Sequence, residues 1–179
     1  MRLLAISGSL RALSSNTAVL RMAAALAPAD VEVAFYTGLA ELPHFNPDLD
    51  SALDDPKLPL LVRDLRTQVG AADGILISSP EYAHGVPGSL KNALDWLVGG
   101  SELPGKPVAL VNASPHATHA QASLAETLRT MSAELVAGSP FAVPFAGRGL
   151  DEAAAAADPE VVTAIQAALG ALTRAAKGI

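Results

Sequence analysis

Two stretches of the chain hold residue types at spacings able to do chemistry. The first, Ser7-Gly8-Ser9-Leu10-Arg11-Ala12-Leu13-Ser14-Ser15-Asn16-Thr17, gathers five hydroxyl side chains, an amide and a guanidinium. At the start of a helix such a loop binds a phosphate monoester, because the unpaired N–H groups and the helix dipole favour a dianion and an arginine adds a charge-assisted pair. Capping a helix takes one serine or asparagine, so the loop carries more polar groups than capping uses. Arg2, Arg11 and Arg21 precede the first carboxylate, Asp30, which makes the amino-terminal region locally cationic in a chain of net charge −6.

The second stretch runs Ser79-Pro80-Glu81-Tyr82-Ala83-His84-Gly85-Val86-Pro87-Gly88-Ser89-Leu90-Lys91-Asn92-Ala93-Leu94-Asp95-Trp96-Leu97. Its prolines set some φ angles and its glycines permit others, so the loop can hold backbone N–H groups at fixed places. Before it, Gly74-Ile75-Leu76-Ile77-Ser78 is apolar without alternation, the pattern of a parallel strand covered on both faces. Loops after such strands sit at the carboxyl end of the sheet, where open α/β sheets bind ligands.

Other phosphate loops are excluded by composition. A dinucleotide fingerprint needs three spaced glycines, and a Walker loop ends in Gly-Lys-Ser/Thr; the first stretch has only Gly8 and no lysine. A cysteine-based phosphatase loop is impossible in a chain without cysteine. A mononucleotide phosphate held by hydroxyls remains, which suggests flavin mononucleotide (FMN).

The elements that must position these loops alternate strand and helix. Strands are expected at Leu3–Ile6, Val31–Tyr36, Gly74–Ser78, Pro107–Asn112 and Glu134–Ala137, the last with a loose tail to Gly149. Helices are expected from Ser15 or Asn16 to Pro28, then over Pro59–Val69, Gly88–Val98 and Ala120–Ser132. A final helix opens at Asp158-Pro159, an N-cap followed by proline at the first position, and runs to Lys177. The proline-containing loop Thr37–Pro56 is long for a plain connector. This alternation means a doubly wound α/β fold, a five-stranded parallel sheet with helices on both faces. Strand order 2-1-3-4-5 places the first and third loops beside one switch point.

With 179 residues the chain has the size of one domain with a proper core, and a single domain over 1–179 is expected. The absence of cysteine removes disulfides, thiolate nucleophiles and Cys-ligated metals. His116 and His119 have no Cys and no His-Glu helix motif beside them, so no metal site is assigned. No basic run marks a nucleic-acid partner. No apolar stretch approaches the roughly 20 residues that span a bilayer, and the apolar start before Ser7-Gly8-Ser9 is too short for a secretory leader. No membrane partner and a cytoplasmic location are therefore expected.

Gly8-Ser9-Leu10-Arg11 with Ser14 and Asn16, then Leu42-Pro43-His44-Phe45-Asn46-Pro47-Asp48-Leu49, then Ser79–Leu97, together resemble the NADPH-dependent FMN reductase family, whose flavodoxin-like members reduce quinones, azo dyes or chromate. The resemblance runs from Leu3 to about Arg129. Its most specific piece is Ser-Pro-Glu-Tyr followed by Pro-Gly-x-Leu-Lys-Asn-Ala-x-Asp-Trp. It implies that Ser9, Arg11, Ser14, Ser15 and Asn16 hold the FMN phosphate. It also implies that Pro80, Glu81, Tyr82, His84 and Gly85 lie along the isoalloxazine ring, mostly through backbone groups, and that Ser114 reaches the flavin. The loop Ala113–His119 departs from the family's glycine-rich pattern, and side chains at Pro115 and His116 alter how closely its backbone approaches the ring.

Each of these residues also has a plainer reading: Glu81 as a surface acid, Tyr82 as core, His84 as a solvated loop histidine, Lys91 and Asp95 as an ordinary i,i+4 pair. The resemblance implies an FMN-dependent NAD(P)H oxidoreductase passing hydride from nicotinamide to flavin and on to a small acceptor (quinone, azo compound, free flavin or metal oxyanion) by a ping-pong mechanism. No side chain is required as a fixed catalytic acid, because that chemistry is the cofactor's. The preference for NADPH over NADH rests on the resemblance alone. An electron shuttle or FMN-binding module acting with a protein partner stays open, as does a flavin-free scaffold. Shuttles of this fold are usually more acidic and flank the flavin with aromatics, which make up 4% of this chain.

Leu90, Leu94 and Leu97 form one stripe of the third helix, which leaves Trp96 off it. A large exposed aromatic beside the ligand loop is an interface anchor. A homodimer or homotetramer, with Trp96 buried between subunits and the flavin pocket partly closed by the neighbouring chain, is the resulting expectation. The alternative is that Trp96 covers its own chain's loop.

Overall fold

The structure, a computed structural model, describes residues 1–114, 116–144 and 157–179. Pro115 and the end of the tail toward Gly149 lie outside the described residues. Parallel strands β1 (Arg2–Ser7), β2 (Glu32–Phe35), β3 (Gly74–Ser78), β4 (Pro107–Asn112) and β5 (Glu134–Leu135) lie in the order β2-β1-β3-β4-β5, as the alternation predicts. The register pairs Ser7 with Ser78 at the carboxyl ends of β1 and β3, so the two ligand loops leave the sheet side by side.

Every residue of β3 and β4 is buried, which is why neither alternates. Leu4, Ile6, Ile75, Ile77, Val108 and Leu110 pack under α2 (Leu60–Ala71), α3 (Gly88–Asp95) and α4 (Thr118–Thr130). The intervening Leu3, Ala5, Leu76, Ala109 and Val111 pack under α1 (Ser15–Ala25) and α5 (Pro159–Lys177). As expected, Asp158 caps α5: its carboxylate accepts from the Glu160 and Val161 amides at 2.9 and 3.4 Å. No helix among the described residues is long and apolar enough to cross a membrane.

One strand departs from its expected length. β5 ends at Leu135, and a short sixth strand, β6 (Phe141–Ala142), pairs with β4 further along. Gly138, at φ 94°, and Pro140 separate them, the first by left-handed backbone and the second by lacking an N–H for the ladder.

The long loop after β2 is strapped onto the helices. Asn92 of α3 accepts from the Phe45 amide at 2.8 Å and donates to the Pro43 carbonyl at 2.9 Å. Arg66, buried on α2, donates to the Ser51 carbonyl, the Asp50 carboxylate and the Trp96 carbonyl. Trp96 completes the strap and corrects the sequence expectation. Its side chain is fully buried within its own chain, its Nε1–H donates to the Pro43 carbonyl at 2.8 Å, and its ring meets Phe45 edge-on at 5.1 Å. The stripe argument failed because α3 is covered on two sides, by the sheet and by the strap. The dimer expectation loses the support it drew from an exposed tryptophan.

Candidate functional site

The loop between β1 and α1 turns sharply at Gly8, whose amide donates to the Ser78 carbonyl at 2.8 Å. A Cβ at this position would meet the Ser79 hydroxyl at 2.8 Å and Leu90 at 3.0 Å, so the close approach of the two ligand loops requires glycine. The hydroxyls beyond it accept from the chain's own amides. Ser7 takes the Ser9 amide at 3.3 Å, Ser9 takes that of Arg11 at 3.3 Å, and Ser14, the N-cap of α1, takes that of Thr17 at 3.4 Å. The Asn16 amide oxygen accepts from the Ser78 hydroxyl at 2.9 Å.

This arrangement converts the loop into a set of donors. A hydroxyl that accepts internally keeps its own proton to give, so Ser9 and Ser14 can donate outward. Ser15 and Asn16, at the first turn of α1, have amides without acceptors among the described residues. Arg11 is exposed beside them. Ser14 therefore fulfils the plain capping role, while the remainder of the loop is left for an anion.

The loop after β3 is built around a tight turn. Tyr82 and Gly85 exchange backbone hydrogen bonds of 3.1 and 2.9 Å, with Ala83 and His84 at φ 50° and 59°. Left-handed backbone at two non-glycine residues costs on the order of 1–2 kcal/mol each, a strain of the kind found at binding loops. Because Tyr82 and Gly85 use their amides in this turn, the backbone donors it leaves without acceptors among the described residues are those of Glu81, Ala83 and His84. The Tyr82 side chain is exposed.

The β3 and β4 loops are clasped together by two contacts that sequence reasoning missed. The Glu81 carboxylate accepts from the Ala120 amide at 2.8 Å, in the first turn of α4. His84 stacks on His119 with ring centroids 4.2 Å apart and planes inclined by 24°. Ala117, preceding α4, offers no side-chain cap; a helix opening without a local cap was the signal that one must come from elsewhere. Remote capping also explains why α4 starts at Thr118, two residues earlier than expected. Behind the clasp Gln121 is buried, its side-chain NH2 directed at the Ser79 carbonyl at 3.4 Å.

Glu81→Ala removes a cap and a carboxylate from a helix N-terminus, a loss of about 1–2 kcal/mol. The expected result is a lower denaturant midpoint and faster hydrogen exchange confined to the first turn of α4. Unchanged exchange there would show that the clasp is unimportant.

Between these loops lies a cavity of about 390 Å³ lined by Ser15, Asn16, Pro80, Glu81, Ala113, Ser114, His116 and Ala117. It brings together predicted residues from all three loops: Ser15 and Asn16, Pro80 and Glu81, and Ser114. Arg11, Ser9, Ser14, Tyr82, His84 and Gly85 do not line it and belong to the loops that flank it. Ser114 is held by its amide, which donates to the buried Asn112 side chain at 3.0 Å. Pro115 lies outside the described residues, so the expected effect of its side chain is not placed. No group of three or more His, Asp or Glu able to hold a metal occurs among the described residues.

Among the described residues Tyr36 and Lys106 have shifted ionisable groups, and neither lines this cavity. Burial, with Asp64 and Glu41 adding negative charge, pushes the Tyr36 phenol up to about 12. Burial lowers the Lys106 pKa while its ammonium donates to the Gly70 and Ala72 carbonyls at the end of α2.

An open parallel sheet whose first, third and fourth strand–helix loops converge on one donor-lined cavity is the architecture of a mononucleotide-binding protein of the flavodoxin-like class. The family model for NADPH-dependent FMN reductases matches residues 1–148, and the chain belongs to that family. It is similar to a quinone reductase of Escherichia coli, 38% identical over 109 residues that cover 61% of this chain and 55% of that protein. An NAD(P)H-dependent FMN reductase of Pseudomonas aeruginosa is 37% identical over 116 residues, covering 64% of this chain and 60% of that one. The matches thus span little more than half the length of these two curated relatives. Among solved structures, the flavoenzyme NAD(P)H:(acceptor) oxidoreductase FerB of Paracoccus denitrificans superposes with a TM-score of 0.77 at 27% identity, covering 97% of each chain.

Proposed function

We propose that this chain is a single-domain, cytoplasmic FMN-dependent oxidoreductase that takes electrons from NADPH or NADH and delivers them to a small acceptor of the quinone class. The observation that carries this reading is the cavity where the α1 N-terminus and the β3 and β4 loops meet, in a member of the FMN reductase family. The donor set fits FMN: the free amides of Ser15 and Asn16, the hydroxyl protons of Ser9 and Ser14, and the Arg11 guanidinium suit one phosphate dianion. Glu81, Ala83 and His84 offer backbone N–H groups, and Ser114 a hydroxyl, to the polar edge of a flat ring. Bound FMN supplies the hydride chemistry.

The protein's part is to bind, orient and exclude water. The Glu81 and His84 contacts to α4 fix the separation of the two loops that would hold the ring, and preorganised donors of this kind stabilise charge where it develops. A nicotinamide donor and an acceptor that both use this cavity would take turns in it, which is the ping-pong order.

The purified protein is expected to be yellow with about one FMN per chain. FAD binds poorly, since a helix-start phosphate site without the dinucleotide glycines leaves its second phosphate unaccommodated. Calorimetry with FMN and FAD and anaerobic mixing with NADPH test this. Equal affinity for the two flavins overturns the site assignment, and a flavin that neither NADPH nor NADH bleaches would make the chain an electron-shuttle module instead.

A further inference from the structure

Ala83 and His84 hold left-handed backbone, at φ 50° and 59°, which non-glycine residues keep only where their surroundings impose it. The Tyr82–Gly85 hydrogen bonds close this turn without tying it to the rest of the chain. Tyr82 is exposed, Ala83 is short and Gly85 has no side chain, which leaves the His84 ring as the anchor. That ring lies on His119, the second residue of α4, with centroids 4.2 Å apart and planes inclined by 24°. Pro80 and Glu81 precede His84 in sequence, His116 and Ala117 precede His119, and all four line the cavity. The stack therefore joins two of the cavity's walls beyond the Glu81 cap, and it does so between two exposed side chains that the core does not need.

We propose that His119 is a positioning residue: through its stack on His84 it holds the left-handed turn, keeps the Ala83 and His84 amides available to the flavin ring, and so tunes both the affinity and the reduction potential of FMN. This inference rests on the FMN-binding reading above. Backbone donors at the polar edge of the ring stabilise the negative charge that reduction places there, so a turn that loses its anchor binds reduced FMN less well than oxidised FMN, and the potential falls.

His119→Ala removes the stack at an exposed helix position where alanine is a good helix former, so the melting temperature should hold. FMN and riboflavin should both bind roughly two- to tenfold more weakly, the size of one aromatic contact, because the loss is on the ring side and not at the phosphate. A further two- to tenfold loss in the reduced form lowers the potential by about 10–30 mV, tenfold being about 30 mV for a two-electron couple. His119→Phe keeps a flat ring against His84 and should restore affinity and potential together. In the flavin-free protein, the Tyr82 and Gly85 amides that close the turn should exchange hydrogen roughly two- to tenfold faster in His119→Ala and at the parent rate in His119→Phe. Unchanged exchange in His119→Ala overturns the stack as the anchor, and faster exchange with unchanged affinity and potential overturns the positioning role. A loss confined to FMN with riboflavin spared, or a His119→Phe variant no better than His119→Ala, overturns it as well. A chain that binds no flavin defeats the function proposed above and this role with it, while the exchange comparison still reports on the stack, so the two failures are told apart.

Discussion

Arg11→Ala is expected to weaken FMN by roughly ten- to over a hundredfold, the equivalent of about 1.5–3 kcal/mol for a hydrogen bond to a charged group. The fold should not notice. Arg11 is exposed, and the contact that shapes the loop at this position is its backbone amide on the Ser9 hydroxyl at 3.3 Å, which alanine keeps. Exposed substitutions stay within about 0.5 kcal/mol, so the melting temperature should move by no more than about 2 °C. Riboflavin lacks the phosphate and should bind the parent and the variant alike. Lysine at this position restores charge but not the planar fork, so Arg11→Lys should recover part of the loss. Fluorescence titration with both flavins checks the argument: if riboflavin loses as much as FMN, Arg11 acts on the loop's conformation and not on the phosphate.

What the sequence made legible was local. Continuous apolar runs marked β3 and β4 as doubly covered strands, and Asp158-Pro159 marked the start of α5, because periodicity and capping are written within a few residues. The crowding of serines before α1 pointed to a phosphate loop on the same grounds. What stayed hidden joins residues far apart in the chain. Glu81 caps a helix 39 positions away, Asn92 grips a carbonyl 49 positions away, and Arg66 reaches the Trp96 carbonyl across 30. Each is a polar side chain whose pattern matches a solvated surface, and only the closed fold supplies its partner.

The two ligand loops illustrate the difference. Their glycines and hydroxyls announced a binding function, yet which groups remain free is a result of the fold. Tyr82 and Gly85 close a turn on each other, and Asn16 is engaged by Ser78. The amides of Ser15 and Asn16 stay open because Ser14 caps the next position. A list of polar residues therefore overstates the site, and subtracting the internal hydrogen bonds sharpens it.

Trp96→Ala is expected to be among the most destabilising single changes in the chain. Emptying a fully buried tryptophan site costs about 3–5 kcal/mol, which at this chain length lowers the melting temperature by roughly 6–20 °C. The Pro43 carbonyl does not become an orphan, because Asn92 still donates to it at 2.9 Å; the loss is therefore mainly of packing, against Phe45 and the surrounding leucines. Trp96→Phe keeps most of that packing and gives up the indole hydrogen bond, so it should cost only about 1–2 kcal/mol. The damage should be localised as well. Residues 37–56 are held by Asn92, Trp96 and Arg66, and hydrogen exchange in Trp96→Ala should accelerate first in that strap. A tryptophan at a subunit interface would behave differently, with sedimentation changing at several protein concentrations while the strap stayed protected. That outcome, or a melting temperature unmoved by Trp96→Ala, would return Trp96 to the surface role that its place off the leucine stripe first suggested.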